Sequence, residues 1–145
     1  MILLVDTSVW SLAYRRDTPP DLPEVRALRD ALSGGAAVVT TGIILLELLR
    51  GFVPPAAQQT IRTDLGTLDA VEPSWSDYAA AAELSNTCRR AGVQLASVDA
   101  LIAQLAIARG LTLLTTDQDF VHASRHVPLR VWVNGHRREA SSGSA

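Results

Sequence analysis

The chain opens on Ile2-Leu3-Leu4-Val5, a short unbroken apolar run. Four more strand candidates follow: Ala36 to Thr40, Leu111 to Thr115, a short Leu68 to Val71 that contains Asp69, and Leu129 to Val133 that contains Arg130. Runs of this length without alternation predict strands covered on both faces, as in a parallel sheet. Helical spacing fills the intervals. Leu22, Val25, Leu28 and Leu32 recur over 22–33, with Gly34-Gly35 as a stop. Residues 42–50 predict an apolar helix ended by Gly51, with Thr41 placed to cap it, and Pro54-Pro55 opens another that reaches about Leu65. A long alanine-rich helix is predicted over 74–91 and a further one over 98–109, capped by Ser97. Short helical stretches follow Asp6 and Asp117, and Thr18-Pro19-Pro20-Asp21 reads as a loop. Strands alternating with helices predict the α/β class: a three-layer α/β/α sandwich around a central parallel sheet of about five strands. Residues 1–133 are expected to form one domain. The polar stretch 134–145, with Arg137-Arg138 and a Ser/Gly end, is expected to be disordered.

Four acidic residues break the apolar pattern. Asp6 closes the first strand and Asp117 follows the fourth, and in open α/β sheets chemistry sits just past the carboxyl ends of strands. Each also reads as a helix N-cap. Glu47 lies in Ile43-Ile44-Leu45-Leu46-Glu47-Leu48-Leu49, a segment apolar nearly all round that predicts a buried helix, where an unpaired carboxylate is costly. Its bland alternative is an i,i+3 pair with Arg50. Asp99 lies in the first turn of its helix, where the helix dipole alone favours an acid. Asp119 stands two residues beyond Asp117, with a cap or a supporting part as its two readings. Ser8 and Thr115 or Thr116 are hydroxyls placed to hold the neighbouring carboxylates.

Four carboxylates on different elements point to a hard cation such as Mg²⁺, which prefers oxygen ligands and keeps several waters. His122, His126 and His136 lack the spacing of a zinc motif, and the i,i+4 pair His122/His126 has no Glu-bearing motif between its members.

The chain carries a net charge of −2, which argues against indiscriminate coating of nucleic acid. With the four acids neutralised by metal, the remainder stands at +2, a balance that tolerates a phosphate backbone. All 13 basic residues are Arg. Without a lysine the chain has neither Schiff-base chemistry nor a P-loop lysine. The single Cys88 reads as a small buried hydrophobe. No signal peptide and no membrane-spanning apolar stretch are visible, so the cytoplasm is the expected setting.

In this order the acids resemble the PIN-domain family, and among its members most closely the VapC-type toxins of bacterial toxin–antitoxin pairs. The matching segments are Val5-Asp6-Thr7-Ser8, Glu47-Leu48-Leu49-Arg50-Gly51, Asp99-Ala100-Leu101-Ile102-Ala103 and Leu113-Leu114-Thr115-Thr116-Asp117-Gln118-Asp119-Phe120. Each motif is weak alone, but the ordered set is specific, and the likeness runs from Met1 to about Val133. The resemblance implies that Asp6, Glu47, Asp99 and Asp117 form a catalytic Mg²⁺ or Mn²⁺ site, with Ser8, Thr115 and Asp119 in support. It implies an endoribonuclease that cuts RNA with a metal-activated water and leaves a 3′-hydroxyl and a 5′-phosphate. It also implies a homodimer held in check by a small VapB-like antitoxin. That partner would lay an apolar segment near Trp10, Leu12 and Phe52, residues that read equally as core. Arg15-Arg16 and Arg89-Arg90 are candidates for gripping the RNA backbone, against a solvated-face reading for each.

Two rivals remain. A phosphatase or receiver domain also places an Asp after its first strand. The dehalogenase-type phosphatase wants a second Asp at position 8, where Ser8 stands, and both classes use a Lys that is lacking here. A non-catalytic PIN-fold module that binds RNA or protein is the other alternative, and the complete set of acids argues against it.

Overall fold

The computed structural model describes residues 1–15, 17 and 21–135. Strands β1 (Ile2–Val5), β2 (Ala37–Thr40), β3 (Asp69–Ala70), β4 (Thr112–Leu114) and β5 (Arg130–Val131) form one sheet in the order β3-β2-β1-β4-β5. Every pairing is parallel. The central strands β1 and β4 are the most apolar and the most covered: Leu4, Val5, Leu113 and Leu114 have no exposed surface. Fully burying each such side chain contributes about 1.5–3 kcal/mol, so the sheet's centre is also its energetic centre.

The helices are α1 (Thr7–Ala13), α2 (Pro23–Asp30), α3 (Gly42–Gly51), α4 (Pro55–Gly66), α5 (Trp75–Arg90), α6 (Ser97–Ala108) and α7 (Gln118–Ala123). A wider final turn, Ala31–Gly35, continues α2 and stops where Gly34 takes φ +104°, a conformation that glycine adopts without a Cβ clash. The chain steps outward from β1 to β2 to β3, then crosses back to β4 and β5 on the other side of β1. Right-handed crossovers put α1–α4 on one face and α5–α7 on the other. Helix α1 accordingly packs on α2 and α3, α3 on α4, and α5 on α6.

The expected sandwich and its five strands are therefore present, with shorter edges. The outermost predicted strands, 68–71 and 129–133, keep only two ladder residues each. Two cap expectations also change. The N-cap of α6 is Ala96, and Ser97 is the first helical residue. Thr41 occupies the N-cap of α3, yet its hydroxyl is buried without a partner. The Glu72 carboxylate reaches across and accepts from Gly42 N–H at 2.9 Å instead. Helix α3 is not buried all round, because it packs on α1 and α4 from one side only; Leu46 is 59% exposed. Cys88 is buried, as its apolar setting requires. Arg16, His136 and Arg137-Arg138, with the rest of the tail from 136 on, lie outside the described residues.

A second acidic feature ties α5 to α6. Ser74 and Asp77 form a capping box at the start of α5, with Ser74 N–H donating to Asp77 Oδ2 at 2.8 Å. Arg109, just past α6, donates to the same oxygen at 2.9 Å and to the Glu72 carbonyl at 3.0 Å. The Arg109 guanidinium and the Ser74 amide hold the Asp77 carboxyl well below the usual carboxylate range. Asp77 is covered, and burial opposes its charge, but the Arg109 and Ser74 hydrogen bonds outweigh it.

Candidate active site

The sheet has its switch point between β1 and β4, where the following helices depart to opposite faces. In open α/β sheets the crevice that holds chemistry lies there, beyond the strand ends. Asp6 stands in it at the end of β1, 4% exposed, its backbone N–H donating to Leu114 O at 2.9 Å. Asp6 does occupy the N-cap of α1, but only its carbonyl serves the helix, accepting from Val9 and Trp10. The carboxylate is left for something else.

Its environment is built from short polar side chains. Ser8 Oγ and Thr115 Oγ1 both donate to Asp6 Oδ2, at 2.7 and 2.9 Å. Thr116 N–H donates to Ser8 Oγ and Asp117 N–H to Thr115 Oγ1, at 3.1 and 3.0 Å. With each hydroxyl already accepting from an amide, its own proton is directed to Asp6. The 3.3 Å approach of Ser8 Oγ to Thr115 Oγ1 is then proximity, since neither has a proton to spare. Asp6 Oδ2 is thereby consumed, and Oδ1 has no hydrogen-bond partner among the described residues.

The other acids arrive from separate elements. Asp117 is the N-cap of α7, and its Oδ1 accepts from Asp119 N–H at 2.9 Å, so the capping reading holds for one of its oxygens. Glu47 is half-buried on α3 and accepts from Thr7 Oγ1 at 2.8 Å. Arg50 is exposed and makes no ion pair with Glu47, which removes the bland account of that residue. Asp99 projects from the first turn of α6. Its carboxyl is raised to about 6, first by burial and then by the negative charge of Asp6, Asp117, Glu47 and Asp119. That field brings all five acids into one neighbourhood, and no Arg enters it as an ion-pair partner among the described residues.

Thr7 was not singled out by the sequence reasoning, although it lies within a quoted motif. Nothing in the spacing reveals that its hydroxyl crosses to a helix 40 residues on. His122 and His126 are exposed and stay apart from the crevice acids as far as ligation goes: among the described residues no three acids, histidines or cysteines close into a ready-made ion cage. An open, all-oxygen arrangement in which Asp6, Glu47, Asp99 and Asp117 each keep a carboxylate oxygen without a hydrogen-bond partner among the described residues suits Mg²⁺ or Mn²⁺, which take one or two carboxylates directly and fill the remainder with water. The donor set fits that group and fits zinc poorly.

Comparison with known proteins agrees with the geometry. A family model described as the PIN domain matches residues 3–125. The chain belongs to the PIN-domain family. Ribonuclease VapC11 of Mycobacterium tuberculosis is 33% identical to it over 122 residues, which cover 82% of this PIN domain's chain and 89% of the relative. Among solved structures, VapBC2 from Rickettsia felis, bound to a fragment of promoter DNA, shares the fold at a TM-score of 0.71 with 23% identity, over 91% of this chain and 98% of that one. FitAcB from Neisseria gonorrhoeae gives a TM-score of 0.69 and 25% identity over 94% and 99% of the two chains. This PIN domain is of the VapC type.

The apolar candidates divide. Trp10 is buried core, with its indole N–H lacking a partner. Leu12 and Phe52 are half-buried. Phe52 lines a groove of about 470 Å³ with Tyr14, Pro54 and Ile61, on the α1–α4 face.

Proposed function

We propose that this PIN domain is the toxin of a toxin–antitoxin pair, a Mg²⁺- or Mn²⁺-dependent endoribonuclease whose site is Asp6, Glu47, Asp99 and Asp117. The observation that carries the reading is the field at Asp99. Four further acids bear on one carboxyl, and among the described residues no arginine pairs with it. The ribonuclease naming of the relative at 33% identity supports the choice of RNA as substrate.

When bound, the metal supplies Lewis acidity at a phosphodiester and a water of lowered pKa. The chain's own residues do the rest. Asp6 keeps Oδ1 free for a ligand because Ser8 and Thr115 hold Oδ2 and no described residue donates to Oδ1. Thr7 fixes the Glu47 carboxylate from α1, and Asp119 N–H fixes that of Asp117. Asp99, protonated in part near neutral pH while the crevice is purely negative, is the acid whose charge responds most to an incoming cation. No side chain acts as a covalent nucleophile, in keeping with the lack of a Lys and of a Ser/His pair.

The apolar groove beside Phe52 is assigned to the antitoxin segment, since it opens on the face that carries α1 and α3, the helices of Thr7 and Glu47. The VapBC complex among its structural neighbours supports such a partner. A homodimer in the cytoplasm completes the reading; no helix among the described residues is long and apolar enough to cross a membrane.

The test is cleavage of total RNA by the purified chain, with Mn²⁺ and with EDTA, followed by sequencing of the cut ends. We expect metal-dependent cuts bearing 5′-phosphates. RNA left intact under both conditions, while still bound, returns the protein to the non-catalytic binding module.

A further inference from the structure

A groove of about 390 Å³ runs between α5 and the start of α6. On α5 its wall is Tyr78, Ala82, Ser85 and Arg89, which recur every three or four residues and so share one helix face. On α6 its wall starts at Ser97 and Val98, the turn that also carries Asp99. Arg89 stands where α5 turns over towards α6, so the groove's cationic end lies nearest the acids.

The lining has a definite chemistry. Small side chains keep the middle open. Tyr78 is 54% exposed, and Trp75, one turn earlier, is 92% exposed. Arg89 makes no ion pair among the described residues, and no carboxylate lines the groove. A second copy docked about a two-fold axis on this face would bring Arg89 against the same acid-free surface, with nothing to neutralise it. A polyanion with flat, stackable groups meets both features: aromatic rings take bases and Arg takes phosphate.

We propose that this groove carries the single-stranded RNA to the acids, with a base stacked on Tyr78 and a backbone phosphate held by Arg89. This rests on the endoribonuclease reading and deepens it. Arg15, on the opposite face beside Asp17, lines the apolar groove instead and is not part of this track.

The test uses the full chain and a fluorescein-labelled mixed-sequence RNA of about 12 nucleotides. Binding is read by anisotropy in EDTA and cleavage in Mn²⁺, for the parent, Tyr78→Ala, Tyr78→Phe and Arg89→Gln. Tyr78→Ala is expected to weaken binding about tenfold, with KM raised and kcat kept, and Tyr78→Phe to bind as the parent does. Arg89→Gln should lower the slope of log K against log salt by about 0.7, the share of one phosphate contact to a single strand. If the parent cuts RNA and Tyr78→Ala and Arg89→Gln bind with unchanged affinity and slope, the groove is not the track, although the nuclease reading stands. A drop in solution mass for Tyr78→Ala would show that a second copy covers the groove, and overturns the proposal. A parent that neither binds nor cuts RNA ends both readings.

Discussion

Two carboxylates in this molecule are almost equally covered, and the fold treats them in opposite ways. Asp77, 5% exposed, has Arg109 against it together with the Ser74 amide and hydroxyl, and its charge is held firmly. Asp6, 4% exposed, has two hydroxyl donors and no ion-pair partner among the described residues, and its charge is one of four that bear on Asp99. The chain has Arg to spend, since 13 are present and several are exposed. Among the described residues none pairs with these acids, and on the proposed function the electrostatic strain is kept where a ligand relieves it. The Asp77 cluster is a clamp, and on the proposed function the Asp6 cluster is a receptor.

The comparison can be broken from either side. The largest expected effect is on chemistry. Asp99→Asn keeps shape and removes charge, and should slow RNA cleavage by about 10²–10³-fold, the scale of losing several kcal/mol of metal-assisted stabilisation. Cleavage at the parent's rate would take Asp99 out of the site. On the clamp side, Arg109→Ala leaves Asp77 covered and unbalanced. We expect a loss of about 2 kcal/mol in urea unfolding, with Mn²⁺ binding unchanged. If Mn²⁺ affinity fell along with stability, the two regions would not be independent.

A smaller effect belongs to Thr7. Thr7→Val removes the hydroxyl that holds Glu47, and should weaken Mn²⁺ about tenfold by calorimetry, as loss of an outer hydrogen bond to a ligand does, while Thr7→Ser retains it. The smallest is a pH effect in EDTA. Asp99 has a folded pKa of about 6, above its ordinary 3.8. Between those values the folded state binds the proton and the unfolded chain does not, so stability should rise as pH falls from about 6 to about 4. The clamp acid runs the other way, its stabilisation being lost only as pH falls below 3.8. A melting temperature that is flat over that window in the parent, or equally sloped in Asp99→Asn, would remove the crowding at Asp99.

The receptor was far more legible in the sequence than the clamp. Asp6 and Asp117 could be read because strand ends announce themselves through apolar runs, and Glu47 because an acid among aliphatics is anomalous. Their hydroxyl partner Ser8 was readable as a near neighbour. Thr7 was not, because its partner lies on another helix, and side-chain aim is decided by how α1 and α3 pack. The Asp77–Arg109 clamp was invisible for the same reason: each residue alone is an ordinary helix-end charge, and only the antiparallel packing of α5 on α6 joins them. Thr41 shows the limit of local capping rules. Its position was right, but Glu72, 30 residues away from Gly42, took the amide. The edge strands came out shorter than their apolar runs because Asp69 and Ala70, and likewise Arg130, are exposed at the sheet's margins and need no full ladder.

The central claim is that the unbalanced acids await a cation, and Mn²⁺ titration followed by both calorimetry and thermal unfolding tests it most directly. The parent should bind Mn²⁺ and melt higher with it, by the linkage that makes a ligand at a hundred times its Kd worth about 2.7 kcal/mol. Asp6→Asn should lose the heat of binding and most of the rise in melting temperature. A parent that gives no heat and the same melting temperature with and without millimolar Mn²⁺ would contradict the account.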